Sequence, residues 1–275
     1  MTYTTLMVHL EIGRSNASLL QIAGDVAEHF QAGVIGIAAC QPIQPIYGDG
    51  FIAGDLMEQN RDEMAKELKE AEREFRSVLQ TRVATLEWRS TVAFASLSDY
   101  IAREARGADL IITGVASSDL FDASRTMNTS DFVMRVGRPV LIVPAAVDKL
   151  KLDRVVVGWK DTRETRRALC DALPLLKKAA HVFVVEIAAE DELDAAHLHL
   201  DDVVGWLKRH GIVAESLASP STGDDTTQLY AFAQDQDADV IVAGAYGHSR
   251  LREWVLGGVT RDLLLRADRC AFVSH

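Results

Sequence analysis

One block of this chain occurs twice. Ala108-Asp109-Leu110-Ile111-Ile112-Thr113-Gly114 in the first half reads like Ala238-Asp239-Val240-Ile241-Val242-Ala243-Gly244 in the second. Each copy follows an amphipathic stretch, Leu97–Arg106 or Thr227–Asp235, and precedes a further short apolar run, Pro139–Pro144 or Cys270–His275. Upstream, Leu6–Leu10 matches Val155–Trp159. Both lead into helical patterns, Asn16–Phe30 and Arg163–Ala179, and then into the apolar runs Val34–Ala39 and Val182–Ala188. Self-similarity on this scale implies two copies of one folding plan.

Short unbroken apolar runs alternating with helical patterns predict a parallel sheet covered on both faces. Right-handed crossovers then make each half a doubly wound α/β unit. The expected fold is two tandem flavodoxin-like domains, each a five-stranded parallel sheet with helices on both faces. The boundary is expected near Ala145–Leu152, giving domains 1–147 and 152–275. The first half is the longer, because Asp55–Thr85 carries Leu, Met, Ala and Phe at helical spacing among many charges. It predicts one long, largely solvent-facing helix, with Asp191–His210 as its shorter counterpart.

Composition narrows the function classes. With 29 basic against 40 acidic residues the net charge is −11, a field that repels nucleic-acid backbones and anionic lipid surfaces. Neither kind of partner is expected. Cys40, Cys170 and Cys270 lie far apart with no metal-ligand spacing, which suits a reducing compartment. The N-terminus lacks signal-peptide character, and the apolar runs fall short of the ~20 residues that span a bilayer. A cytoplasmic location is expected.

The chemistry-bearing residues cluster in the second half. The predicted strand Asp239–Ala243 ends in Gly244-Ala245-Tyr246-Gly247. His248 to Leu256 then precede Gly257-Gly258-Val259-Thr260, which opens a helical run, Arg261–Ala267. Glycines at a strand's carboxyl end let backbone N–H groups approach an anion unobstructed by a Cβ. Glycines at a helix start place unpaired N–H groups and the positive dipole end beside it. Two such anchors can hold a polyphosphate from two sides. Equally, Gly244 and Gly247 could simply end a strand, and Gly257-Gly258 could permit tight helix–strand packing.

This Gly-x-x-Gly-x9-Gly arrangement, after the fourth strand and before the last helix, resembles the ATP-binding motif of the universal stress protein family. The chain as a whole resembles a tandem member with two such domains. The resemblance implies ATP or ADP held by the second domain, with magnesium left open. It places Gly244 near the ribose, and the backbone of Gly247, Gly257, Gly258 and Val259 at the phosphates; His248, next to Gly247, could touch a phosphate or simply be a surface-loop histidine. Adenine falls against Gly158, Trp159 and Lys160 at the end of the first strand and Ile187 at the end of the second. Two positions depart from the family pattern: Gly258 stands where Ser or Thr is usual, and Lys160 where Asp is common. In the first half Gly114 persists, but Ser117, Thr126 and Met127 replace the other motif glycines, so nucleotide binding is expected in one half only. The family also implies pairing through the last strands, Val140–Val143 against Ala271–Ser274, an internal pseudo-dimer to which a homodimer could be added.

Other candidates are weaker. His197 and His199, with Asp201 and Asp202, suggest metal ligands, but residues two apart on a helix diverge, so a solvated face is expected. Arg163, Arg166 and Arg167 are expected in salt bridges with Glu164 or Asp171, and Cys170 in the core. No base–nucleophile pairing is evident, so no catalytic or metal-binding residue is assigned. A regulatory nucleotide-binding module is the leading expectation, ahead of a scaffold that binds no nucleotide and of a slow ATPase.

Overall fold

The computed structural model describes residues 2–42, 54–92, 94–115, 124–245 and 269–275. In the first half these form β1 (Thr5–His9), α1 (Ala17–Phe30), β2 (Gly33–Cys40), α2 (Gly54–Leu79), β3 (Leu86–Val92), α3 (Leu97–Glu104), β4 (Leu110–Gly114), α4 (Thr129–Val136) and β5 (Val140–Val143). The second half repeats the plan with β6 (Arg154–Trp159), α5 (Arg163–Leu176), β7 (His181–Ala188), α6 (Leu193–Arg209), β8 (Ala214–Pro220), α7 (Asp225–Asp235), β9 (Val240–Gly244) and β10 (Cys270–Ser274).

The ten strands of the described residues join one sheet in the order β3-β2-β1-β4-β5-β10-β9-β6-β7-β8. Within each half the pairing is parallel, and the order reverses direction beside the first strand, between β1 and β4 and between β6 and β9. The halves meet antiparallel through their last strands, with Phe272 opposite Leu141 and Val273 opposite Val140. The expected fold and the expected edge pairing are thus both present.

The repeated Asp has a definite mechanical role. Asp109 Oδ2 accepts the Thr4 and Thr5 amides at 2.8 and 3.0 Å, and Asp239 Oδ2 accepts those of Asp153 and Arg154 at the same distances. Each carboxylate pins the start of its half's first strand beside the fourth, which fixes the central pairing. Burial works to raise the Asp109 pKa, but the bonds from Thr4 and Thr5 outweigh it and hold the group below the ordinary carboxylate value.

Strands near the sheet's centre are apolar on both faces, so alternate residues feed two cores. Leu6, Val8, Val155, Val157 and Phe272 pack under α1, α2, α5 and α6, while Met7, Ile111, Val156, Ile241 and Val273 pack under α3, α4 and α7. The edge strands β3 and β8 are only partly covered. Tyr3 ties the halves further, donating its hydroxyl to the Asp171 carbonyl at 2.6 Å, while Ser274 Oγ donates to the Asp171 carboxylate at 2.7 Å.

Two expectations need correction. The long helix ends at Leu79, not near Thr85. Arg82 instead folds back onto α1, donating to Asp25, Glu28 and Gln21, and the β-branched Thr81, Val83 and Thr85 favour leaving the helix. Its inner face is also well buried, through Met64, Leu68, Ala71, Phe75 and Leu79. Cys170 is exposed, not core. The buried stripe of α5 runs through Thr165, Ala168, Leu169, Ala172, Leu173 and Leu176, and position 170 falls outside it.

Candidate functional site

In a doubly wound sheet the crevice beyond the strands' carboxyl ends, where the order reverses, is the usual ligand position. In the second half that point lies between β6 and β9. Gly158 pairs with Ala243 across it, and Gly244 is the next residue of β9. On the other side β7 pairs with β6, placing Ile187 one residue beyond the partner of Trp159. Five of the expected ligand residues (Gly158, Trp159, Lys160, Ile187 and Gly244) therefore gather at the ends of three adjacent parallel strands. The other five (Gly247, His248, Gly257, Gly258 and Val259), with the helical run at Arg261–Ala267, lie outside the described residues.

The local packing shows why Gly244 is glycine, and how closely Gly158 is covered. A Cβ on Gly244 would sit 2.5 Å from the Thr165 nitrogen and 2.7 Å from the Glu164 carbonyl carbon. The first turn of α5 is thus pressed against the end of β9, closer than any side chain allows. On Gly158 a Cβ would meet Leu229 Cδ2 at 2.8 Å.

Helix α5 begins with Thr162 as N-cap, its hydroxyl accepting from the Thr165 amide at 3.3 Å. Its first turn already carries the buried Glu164 carboxylate, which Arg163 meets at 3.0 Å. That terminus is supplied with its own anion, so a phosphate at this crevice would need other amides, such as those of a following glycine segment.

Lys160 neither points freely into solvent nor stands unpaired: its Nζ meets Asp225 Oδ2 at 2.9 Å, at the start of α7. Ile187 is buried and contributes to the core under α7. Trp159 is also buried, on the opposite face under α5 and α6, and its indole N–H has no partner among the described residues.

The equivalent point of the first half is built differently. His9 and Thr113 stand where the second half has Gly158 and Ala243, and His9 Nδ1 lies 3.1 Å from Thr113 Oγ1. Burial lowers the His9 pKa to about 4, so the ring is neutral at ordinary pH. A crevice of about 540 Å³ opens beside it, lined by His9, Glu11, Arg14, Asn16, Gly114 and Val143 among others. Glu11 brings an acid into it, and burial raises that group's pKa against the pull of Arg14. No local sequence pattern announces this crevice, because its lining comes from three strand ends and one helix start.

Two arginines of α5 take the expected partners, Arg163 meeting Glu164 and Arg167 meeting Asp171 at 2.8 Å, whereas Arg166 turns to Asp161 at 2.8 Å, before the helix start. His197 is exposed. His199 Nδ1 lies 3.5 Å from Glu186 Oε2 without hydrogen-bond alignment. Among the described residues no three His, Cys, Asp or Glu side chains could share a metal ion, and no helix is long and apolar enough to cross a membrane.

No protein-family model matches this sequence, and no curated protein matches it either. Solved structures do. A universal stress protein from Archaeoglobus fulgidus superposes with a TM-score of 0.75 at 16% identity, covering 98% of this chain and 97% of its own. A putative universal stress protein from Pseudomonas aeruginosa gives a TM-score of 0.59 at 15% identity over 99% of this chain and 93% of its own. A functionally unknown protein from Pseudomonas aeruginosa gives 0.60 at 13% identity, covering 99% of this chain and 92% of its own. The chain thus has, end to end, the tandem fold of universal stress protein structures.

Proposed function

We propose that this chain is a tandem member of the universal stress protein family and that its second half, residues 152–275, holds ATP or ADP as a regulatory ligand. The first half, residues 1–147, serves as its structural partner. The observation that carries this is the position of Gly244: it ends the strand beside the reversal point and opens the Gly-x-x-Gly-x9-Gly segment. In this reading the amides of Gly247, Gly257, Gly258 and Val259 receive the phosphates, with His248 alongside. Gly244 approaches the ribose, and adenine rests near Gly158, Trp159, Lys160 and Ile187. The Gly158–Ala243 pair stands where the first half places the polar side chains of His9 and Thr113. Nucleotide occupancy would alter the surface offered to a protein partner of a cytoplasmic stress response, in a single chain or a homodimer.

A second reading, a scaffold without nucleotide, is favoured by one observation: the packing of Gly244 on α5 is reason enough for a glycine there. Denaturing freshly purified protein and identifying any released small molecule by mass separates the two. ATP or ADP in near-stoichiometric amount supports the first. Its absence, together with no binding of ATP, ADP or AMP at about millimolar concentration with or without magnesium, supports the second.

A further inference from the structure

The sheet ends in two edges, β3 and β8. An edge strand offers a row of unpaired N–H and C=O groups, which proteins commonly guard with charge. On β3, Arg89 is such a guard, meeting Glu87 at 2.7 Å and Glu104 at 2.8 Å along the strand's flank. β8 carries neither lysine nor arginine, and its one acid is Glu215. Val213, just before it, is 86% exposed, and Leu217 within it is 43% exposed.

The register fixes which backbone groups of β8 are free. The Ser221 amide donates to the Ala188 carbonyl at 2.8 Å, and the ladder with β7 runs unbroken from Ala214 to Pro220. Successive strand residues turn to opposite sides, so Glu215, Leu217 and Ser219 aim their amides and carbonyls at β7. Ala214, Ser216 and Ala218 aim theirs outward, where no strand of the described residues meets them. Pro220 closes the row: it has no N–H, and its carbonyl accepts from Gln228 at 2.8 Å.

Two features select a second copy of the chain as the occupant. The row is self-complementary: antiparallel about Ser216, that residue meets its own copy and Ala214 meets Ala218, with only alanine and serine side chains on the outward-aimed residues. A twofold axis at this edge makes the strands antiparallel, the same join that β5 and β10 make within the chain. The alignment also brings opposite charges to each end of the contact. Lys208 and Arg209, exposed at the close of α6, fall at the end where the second copy's α7 starts, with Asp224 exposed as its cap and Asp225, already paired with Lys160, behind it. Glu215 opposes the contact, because it lies diagonally across the axis from its own copy, about 7–8 Å away between Cα atoms.

We propose that β8 is a homodimer edge: two copies pair antiparallel through Ala214, Ser216 and Ala218 and merge their sheets into one, whether or not nucleotide is bound.

Sedimentation equilibrium and residue-resolved amide exchange of the full chain, from about 5 to about 500 µM, test this. A dimer with a Kd below about 100 µM is expected. Exchange at the Ala214, Ser216 and Ala218 amides should slow at least about twofold over that range, while the bonded amides of Glu215, Leu217 and Ser219 stay unchanged. Ser216→Pro removes an N–H that β7 does not use and should weaken the dimer at least about tenfold. Leu217 faces the second copy's Glu215 in this register, so Leu217→Lys should tighten the dimer and Leu217→Glu weaken it, each at least about threefold. This half-exposed position serves if Ser216→Pro does not fold. A monomer at about 500 µM, which would leave the edge to some other protein, overturns the proposal. So does a dimer that ignores the sign of charge at position 217, or one that forms without slowing exchange at the three outward amides.

Discussion

Gly244 and Gly114 occupy matching places in the two halves, each the last residue of its fourth strand, yet their surroundings differ. At Gly244 an added methyl would fall 2.5 Å from one backbone atom of α5 and 2.7 Å from another. Backbone in a helix's first turn cannot rotate aside as a side-chain end can, so α5 must move away from β9. Overpacking of this kind costs about 1–3 kcal/mol. A Cβ added at Gly114 would meet nothing among the described residues within 4 Å, and Ala there should change stability by less than about 1 kcal/mol. At roughly 2.1 cal/mol/K per residue, 275 residues unfolding together give an entropy of about 0.6 kcal/mol/K. Gly244→Ala should then lower Tm by about 2–5 °C, with Gly114→Ala within about 2 °C of wild type. Calorimetry on both variants without nucleotide measures this directly. Equal shifts, or no loss for Gly244→Ala, would refute the claim that the close approach of α5 requires a glycine.

Further outcomes follow from the same structure. Asp109→Ala and Asp239→Ala each strand two amides at the start of a first strand, and each should cost about 1–3 kcal/mol in denaturant unfolding. His9 is neutral in the folded protein, with a pKa of about 4 against an ordinary 6.5, so the unfolded chain takes up its proton first as pH falls. Its contribution is complete above about pH 6.5 and shrinks by about 3 kcal/mol on approaching pH 4. The stability of wild type relative to His9→Gln should fall by that amount over the window, and a constant difference would contradict it. Gly258→Ser restores a hydroxyl at the expected phosphate position, worth about 1 kcal/mol and so about a fivefold tighter ATP dissociation constant. Unchanged affinity would place that residue away from the ligand.

Much of the fold was legible because the central strands are covered on both faces and therefore read as unbroken apolar runs. The repeated Ala-Asp block was equally informative, since its Asp performs the same strand-pinning task twice. Helix ends were harder. Arg82 leaves α2 to serve α1, a long-range preference that periodicity does not carry. Cys170 misled because its neighbours Leu169, Ala172 and Leu173 are buried, although the three-and-four spacing counted from Leu169 leaves position 170 outside. Of the candidate site, the glycines were visible as residue types, but not the contact that makes Gly244 necessary. The His9–Thr113 pair and the crevice beside it are assembled from separate segments, and no local pattern announces such sites.

Calorimetric titration of ATP into nucleotide-free protein, with magnesium, tests the central proposal most directly. One site per chain with a dissociation constant in the micromolar range, about −8 kcal/mol, is predicted, and Gly247→Val should remove it. Two equivalent sites per chain, or no heat of binding at about millimolar ATP with or without magnesium, would contradict a nucleotide cradle confined to the second half.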